Sequence, residues 1–447
     1  MTQKEIAALR IVKRLKDRGY AGLYAGGYVR DMVLSCPEKG DIDIATSATP
    51  RQIAELFDNV IPVGEHFGVM IVVADAIPFE VATFRTDVGV GDGRRPSAVA
   101  FADDAEADAQ RRDFTINGMF YDPLTDTIID HVDGQKDCKL GIVRAIGDPG
   151  LRFTEDYLRL VRAVRFAARF GFSIETRTWD ALRERAAGIS AVSAERIFQE
   201  TDKIIAGPHP DKALVLLHES GLLSILFPEL ERCAGVAQPA EFHPEGDVFS
   251  HIVKALSLLD KPSQRAAWGV LLHDIGKPGT MVLADRIRFS NHDVTGARMA
   301  EHLLRRLKAP SALIEDVYEI IVNHMNFMNV QKMRLSTLKK FLARPTLADE
   351  LTLHRVDCMA SHGDISNFYF IRKKQVELSA LEIKPKALIG GRDLIELGMT
   401  PGPGFGTILD EAYDLQLEEK LTSRDEAMSW VKGKYGSCGV PEKPPEM

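Results

Sequence analysis

At Pro149 the hydrophobic spacing of this 447-residue chain changes character. Before it, between residues 20 and 133, short apolar runs alternate with Gly- and Pro-bearing turns. That pattern predicts strands near 22–25, 42–45, 69–73, 79–83 and 128–131. Beyond it, apolar residues recur at three- and four-residue steps, which predicts helices over 153–170, 179–187, 195–206 and 212–220. The chain therefore reads as α+β, with about five strands plus helices in a head (1–140) and helices thereafter. The helical part divides into 141–235, a His-rich stretch 236–368, and a tail 369–447 that carries the Gly/Pro-rich run 390–406.

Composition narrows the classes. Five scattered cysteines without a CxxC pair exclude a disulfide scaffold or zinc ribbon and lead us to expect a reducing, cytoplasmic setting. No run of 18 apolar residues occurs, so no membrane partner is expected. Ile6, Leu9, Val12 and Leu15 alternate with charges at helical spacing, unlike a signal peptide. With 56 basic against 64 acidic residues the net charge is −8. Any polyanion must then be gripped by local basic clusters.

Gly26-Gly27-Tyr28-Val29-Arg30-Asp31 follows an apolar strand and opens a helix. Alone, a glycine pair is usually turn punctuation. It also lets backbone N–H groups approach phosphate oxygens at a helix N-terminus, which makes Gly27 and Arg30 candidate nucleotide contacts. Ten residues on, Asp41 and Asp43 stand at i and i+2, a spacing that on a strand points both carboxylates to one face. Two hard oxygen ligands beside a phosphate cradle suit Mg²⁺ on a nucleoside triphosphate.

These two motifs together resemble the DNA-polymerase-β-like nucleotidyltransferases, and more narrowly the class II tRNA nucleotidyltransferases and bacterial poly(A) polymerases. Residues 79–85 (FEVATFR) resemble the family's next strand, and 111–117 (RRDFTIN) its RRDFTxNA block, with Gly118 in place of Ala. The resemblance implies that Asp41 and Asp43 are catalytic Mg²⁺ ligands and that Arg112 contacts the triphosphate or sugar. Arg111 is then structural, and Glu80 is either a third carboxylate or a salt-bridge partner. Residues 87–96 resemble the family's flexible loop.

Residues 155–159 (EDYLR) open a helix on which Arg159, Arg162, Arg165 and Arg169 share one face. A bare arginine stripe is usually a solvated surface; here it follows the family's EDxxR motif residue for residue. Asp156 would accept from the amino group of cytosine or adenine while Arg159 donates to the ring nitrogen. Uracil and guanine offer the opposite pattern, and each buried group left unpaired costs about 1–3 kcal/mol. By resemblance, Arg162 and Arg165 contact the triphosphate or hold this pair, and 193–197 (SAERI) supports the helix.

His251, His273-Asp274 and Asp357, in that order, resemble the HD phosphohydrolases, with His292 and His324 between them as in members that hold two metals. An isolated histidine is usually a packing residue; the ordered set implies one or two divalent ions, Mn²⁺, Ni²⁺ or Mg²⁺. The block at 390–403 resembles the C-terminal body of the same enzymes.

The resemblance implies addition of CTP- and ATP-derived nucleotides to the 3′ end of tRNA, as CCA addition or repair. The alternatives are A-only addition, poly(A) synthesis, or a metal-dependent phosphohydrolase with a degenerate head. The expected partners are tRNA, CTP and ATP; the sequence leaves the oligomeric state open.

Overall fold

The computed structural model describes residues 1–64, 68–88, 98–239, 241, 243–244, 246–284 and 286–436. These fall into two compact units, 1–234 with 303–309, and 235–302 with 310–436.

The first unit begins with helix Gln3–Lys16, closed at its N-terminus by a capping box between Thr2 and Glu5. Its Ala7, Ala8, Ile11, Val12 and Leu15 are buried, one stripe at helical spacing. The strands are β1 (Gly22–Ala25), β2 (Asp43–Thr46), β3 (Val60–Gly64), β4 (Val69–Ala74), β5 (Ile77–Thr83), β6 (Arg85–Val88), β7 (Ala98–Phe101), β8 (Phe120–Asp122) and β9 (Thr127–Ile129). Seven of them form one sheet in the order β3-β4-β5-β2-β1-β8-β9. All its pairs are antiparallel except β2–β5. The sequence indicated about five strands; β3 and β8 are additional, β3 interrupted by Pro62 and β8 only three residues long. β6 and β7 pair as a separate hairpin, and the expected loop at 87–96 lies outside the described residues from residue 89 onward.

β1 is buried along its whole length and ends at Gly26, whose φ of +66° suits glycine. A Cβ there would also sit 3.2 Å from a guanidinium nitrogen of Arg112. The following helix, Gly27–Val33, has only seven residues.

Helices Pro149–Glu155, Leu158–Phe170, Thr176–Arg185, Ala194–Ile205 and Pro210–Glu219 complete the first unit's main packing. Leu158–Phe170 packs against Ala194–Ile205 and Pro210–Glu219, and ends on Gly171 in the left-handed conformation, as helix C-termini commonly do. The helix expected from 153 through 170 is in fact two, broken at Asp156, which is extended at φ −153°. Tyr157, next to the break, packs against Gly188. A Cβ on Gly188 would lie 2.0 Å from the Tyr157 ring, so the ring occupies the space that glycine leaves. Gly188→Ala is therefore expected to cost about 1–3 kcal/mol by overpacking. A melting curve checks it, and an unchanged Tm would show that Tyr157 moves freely.

The second unit is helical, with Val248–Ser257, Gln264–Leu272, Ser311–Asn323 and Leu347–Ala360 among its helices and a short hairpin, Met281–Leu283 with Ile287–Phe289. A separate core forms in its tail around Leu394, Ile408, Ala412 and Val431.

Candidate active site and metal centre

A cleft of about 560 Å³ in the first unit is lined by eight arginines and five aspartates. In a chain of net charge −8, that local excess of cations suits a polyphosphate. Asp41, Asp43, Gly27, Arg30, Arg112, Asp156, Arg159, Arg162 and Arg165 all line it. Residues separated by up to 138 positions thus meet on one surface.

The two head carboxylates differ. β2 starts at Asp43, so Asp41 lies just ahead of the strand, and both carboxylates line the cleft. The side chain of Asp41 is 90% exposed and pairs with Lys4 of the first helix. Asp43 is half-buried, and burial together with the charge of Glu80 pushes its carboxyl up to about 6 against the pull of Arg112. Oxygen donors alone meet here, the donor set of Mg²⁺. Glu80 is exposed on β5, next to β2 in the sheet.

Arg112 donates to both faces of its support: Nε and Nη2 reach Oδ2 of Asp108 at 3.1 and 2.9 Å, and Nη1 the Asn117 carbonyl at 3.4 Å. Arg111 donates to the other oxygen of Asp108 and to the Arg85 carbonyl. Arg30 is buried, with its guanidinium on Asp31 (2.6 and 2.9 Å) and Asn117 (2.6 Å). Three of its five N–H donors hold this turn to Asn117.

Asp113 is the hub that sequence reading left without a role. Its carboxylate accepts from Arg162 at 2.5 and 2.9 Å, from the Asn117 amide at 3.0 Å and from the Phe114 N–H at 2.8 Å. Burial pushes this carboxyl up, but Arg162 and Asn117 hold it well below the usual carboxylate range. The head motif is thereby tied to the arginine-bearing helix. Arg165 is buried on Glu200 at 2.6 Å, and Arg169 reaches Asp31 at 3.5 Å.

Asp156 and Arg159 do not pair with each other. Arg159 donates to Glu155 at 2.5 Å and to the carbonyls of Arg152 and Arg111 at 2.8 and 3.2 Å. Asp156 accepts instead from Arg196, at 3.1 and 2.8 Å. Arg196 lies within SAERI, read from sequence only as support; nothing local in that motif signals a residue aimed into the cleft.

In the second unit, His251, His273 and Asp357 offer ligand atoms within 4.8 Å of one another, as do Asp274, His292 and His324. The two sets adjoin: Asp274 lies 3.2 Å from His273 and 3.6 Å from His292 through opposite oxygens. Helix ends place most of these groups, since His273 follows Gln264–Leu272, His292 opens a helix and His324 follows Ser311–Asn323.

Three imidazoles share one device. Nδ1 of His273, His292 and His324 lies 2.9, 2.9 and 2.6 Å from the carbonyl three residues back. A carbonyl can only accept, so Nδ1 carries the proton and Nε2 presents its lone pair inward, the orientation of metal-bound histidines. Burial, with His273 and His292 nearby, lowers His324 to about 4, which keeps it neutral at pH 7. Asp274 is driven up by burial but held well below its ordinary value by His273 and Lys277, whose Nζ is 2.7 Å away. Histidine and carboxylate donors together fit one or two divalent ions. The adjoining cavity, about 660 Å³, also includes His243, His354, Cys358 and His362, which no motif singled out.

Three family models match the chain: the Poly A polymerase head domain over residues 23–144, the probable RNA and SrmB-binding site of polymerase A over 171–233, and the HD domain over 248–358. A CCA-adding enzyme of Geobacillus sp. (strain WCH70) is 43% identical over 219 residues, which is 49% of this chain and only about half (54%) of that relative's length. A CCA-adding enzyme of Lactococcus lactis subsp. cremoris is 32% identical over 434 residues, covering 95% of this chain and 94% of its own. Among solved structures, the Bacillus stearothermophilus CCA-adding enzyme in complex with CTP superposes with a TM-score of 0.76 at 27% identity, covering 98% of this chain and 99% of that one. The head sheet, the arginine-lined cleft and the HD set stand in the order of these matches, and the chain belongs to the CCA-adding enzyme family.

Proposed function

We propose that this chain adds CTP- and ATP-derived nucleotides to the 3′ end of tRNA. The observation that carries the reading is the single cleft in which Asp41 and Asp43, the arginine wall, and Asp156 with Arg159 meet. The CTP complex of the Bacillus stearothermophilus relative supports a nucleotide as its occupant.

In this reading Arg112 binds the triphosphate, and Asp156 and Arg159 accept from and donate to the base edge. Asp41 and Asp43 would hold Mg²⁺, which when bound favours attack of the tRNA 3′-hydroxyl on the α-phosphate and departure of pyrophosphate. Arg162 serves by fixing Asp113, and Arg165 by fixing Glu200, so that the reading helix keeps its place against the head. Incorporation of labelled CTP and ATP into tRNA lacking its end tests the proposal. Metal-dependent phosphate release without any incorporation would favour a phosphohydrolase instead.

The HD set is a second metal centre in this reading, separate in chemistry from the first. The head offers only oxygen donors, whereas His251, His273, His292 and His324 favour a transition metal. Replacing His273 and Asp274 together by Ala is expected to reduce metal content per chain to that of the head alone. CTP and ATP incorporation should continue, with some loss of thermal stability if the ion braces the helices. Lost incorporation in a folded, tRNA-binding variant would contradict the separation.

A further inference from the structure

We propose that Arg196 is a positioning residue for base selection, acting through Asp156 rather than by touching the nucleotide. The inference rests on the reading of Asp156 as the acceptor for the base amino group.

The carboxylate of Asp156 needs an external brace. The terminal torsion of an aspartate is broad and roughly two-fold, so the side chain alone does not fix the direction of its oxygens. Its backbone gives little help, because Asp156 stands in an extended break between two helices. Two contacts supply the constraint. The N–H of Leu158 donates to Oδ1 at 3.1 Å, and Arg196 donates through Nη1 to Oδ1 at 3.1 Å and through Nη2 to Oδ2 at 2.8 Å. A guanidinium with two parallel bonds fixes the plane of a carboxylate as well as its position, which a lysine cannot do.

Arg159 does not provide that brace. Its donors go to Glu155 and to the carbonyls of Arg152 and Arg111. The two proposed base-reading groups are therefore held by separate supports, Arg196 for the acceptor and Glu155 for the donor. Arg196 comes from helix Ala194–Ile205, which packs on the helix Leu158–Phe170 that begins beside Asp156. Both Asp156 and Arg196 are part of the cleft wall.

Selection depends on where the acceptor stands. A carboxylate set against the amino group of cytosine is repelled by the carbonyl that uracil places at the same point. If the carboxylate swings away, the gain for cytosine and the penalty for uracil shrink together. The ratio between them, rather than the overall rate, reports the brace.

The experiment measures kcat/KM for CTP and UTP on tRNA ending at the discriminator, and for ATP and GTP on tRNA ending in CC. It uses the full chain as wild type, Arg196→Ala, Arg196→Lys, Asp156→Ala and the Asp156→Ala/Arg196→Ala pair. Arg196→Ala is expected to lower the CTP-over-UTP and ATP-over-GTP ratios by about tenfold or more, with KM for tRNA unchanged. Arg196→Lys should recover rate and melting temperature but not the ratios. In the Asp156→Ala background, the second substitution should change the ratios no further.

Equal losses for all four nucleotides in Arg196→Ala, with intact ratios, would make the residue merely structural and overturn the inference. A further fall of the ratios in the double variant would overturn it too, by showing an independent contact with the base. Should Arg196→Ala not fold, Arg196→Lys decides alone: full ratios there refute the brace. Unchanged ratios in Asp156→Ala would instead refute the base-reading role itself, a separate failure.

Discussion

Asp43→Asn is expected to reduce nucleotide addition to roughly a thousandth or less of wild type, because removing one preorganised charge at a reacting phosphate is costly. The protein should nevertheless remain folded. Burial and Glu80 push the Asp43 carboxyl up to about 6, so its ionised form is held in the native state against an electrostatic cost. Asparagine removes that repulsion while keeping the shape. In the presence of a chelator at neutral pH, the variant's Tm should therefore equal or exceed that of wild type, as is common where a site trades stability for activity. The measurement pairs CTP and ATP incorporation with a melting curve. Near-normal incorporation would remove Asp43 from the list of metal ligands.

Asp113→Ala should produce the largest loss of stability. The substitution strands the Arg162 guanidinium and leaves the Asn117 amide and the Phe114 N–H without their acceptor. Breaking a buried charge pair by removing one partner costs about 3–5 kcal/mol. For a unit of this size that is a fall in Tm on the order of 10 °C. The sign of the pH dependence follows from the depressed folded-state value. The wild-type advantage is fully present above the unfolded pKa of about 4, and is lost as the pH falls through the folded value. The difference between wild type and variant should thus be full at pH 7 and narrow below about pH 4. A difference that instead grew on acidification would show that the pair does not hold the head to the helix.

The sequence made the chemistry more legible than the supports. Asp41, Asp43, Asp156 and Arg159, which line one cleft, and the six candidate HD ligands, which gather in two adjoining sets, stood out because each proposed chemistry needs particular residue types at particular spacings. The alternation of strands and the later helical period were readable because they follow from which faces are buried. Asp113 and Lys4 were not, and Arg196 was legible only as part of a supporting motif. Each acts through a partner distant in sequence, such as Arg162 for Asp113 at a separation of 49 residues and Asp156 for Arg196 at 40, and no local pattern announces such a pairing. The break at Asp156 was likewise hidden, because it falls within a stretch that has good helical periodicity. The strand start at Asp43 rather than ahead of Asp41 turns on β-ladder register with Ala25, which only the assembled sheet defines.

We propose that one cleft builds a defined C-C-A end. This is tested most directly by giving the purified protein three tRNAs, ending at the discriminator, at C and at CC, with all four nucleoside triphosphates, and sequencing the products. All three are expected to converge on a single -CCA terminus, at which extension stops. Addition of A only to the tRNA ending in CC, or open-ended adenosine tails on any of the three, would contradict it.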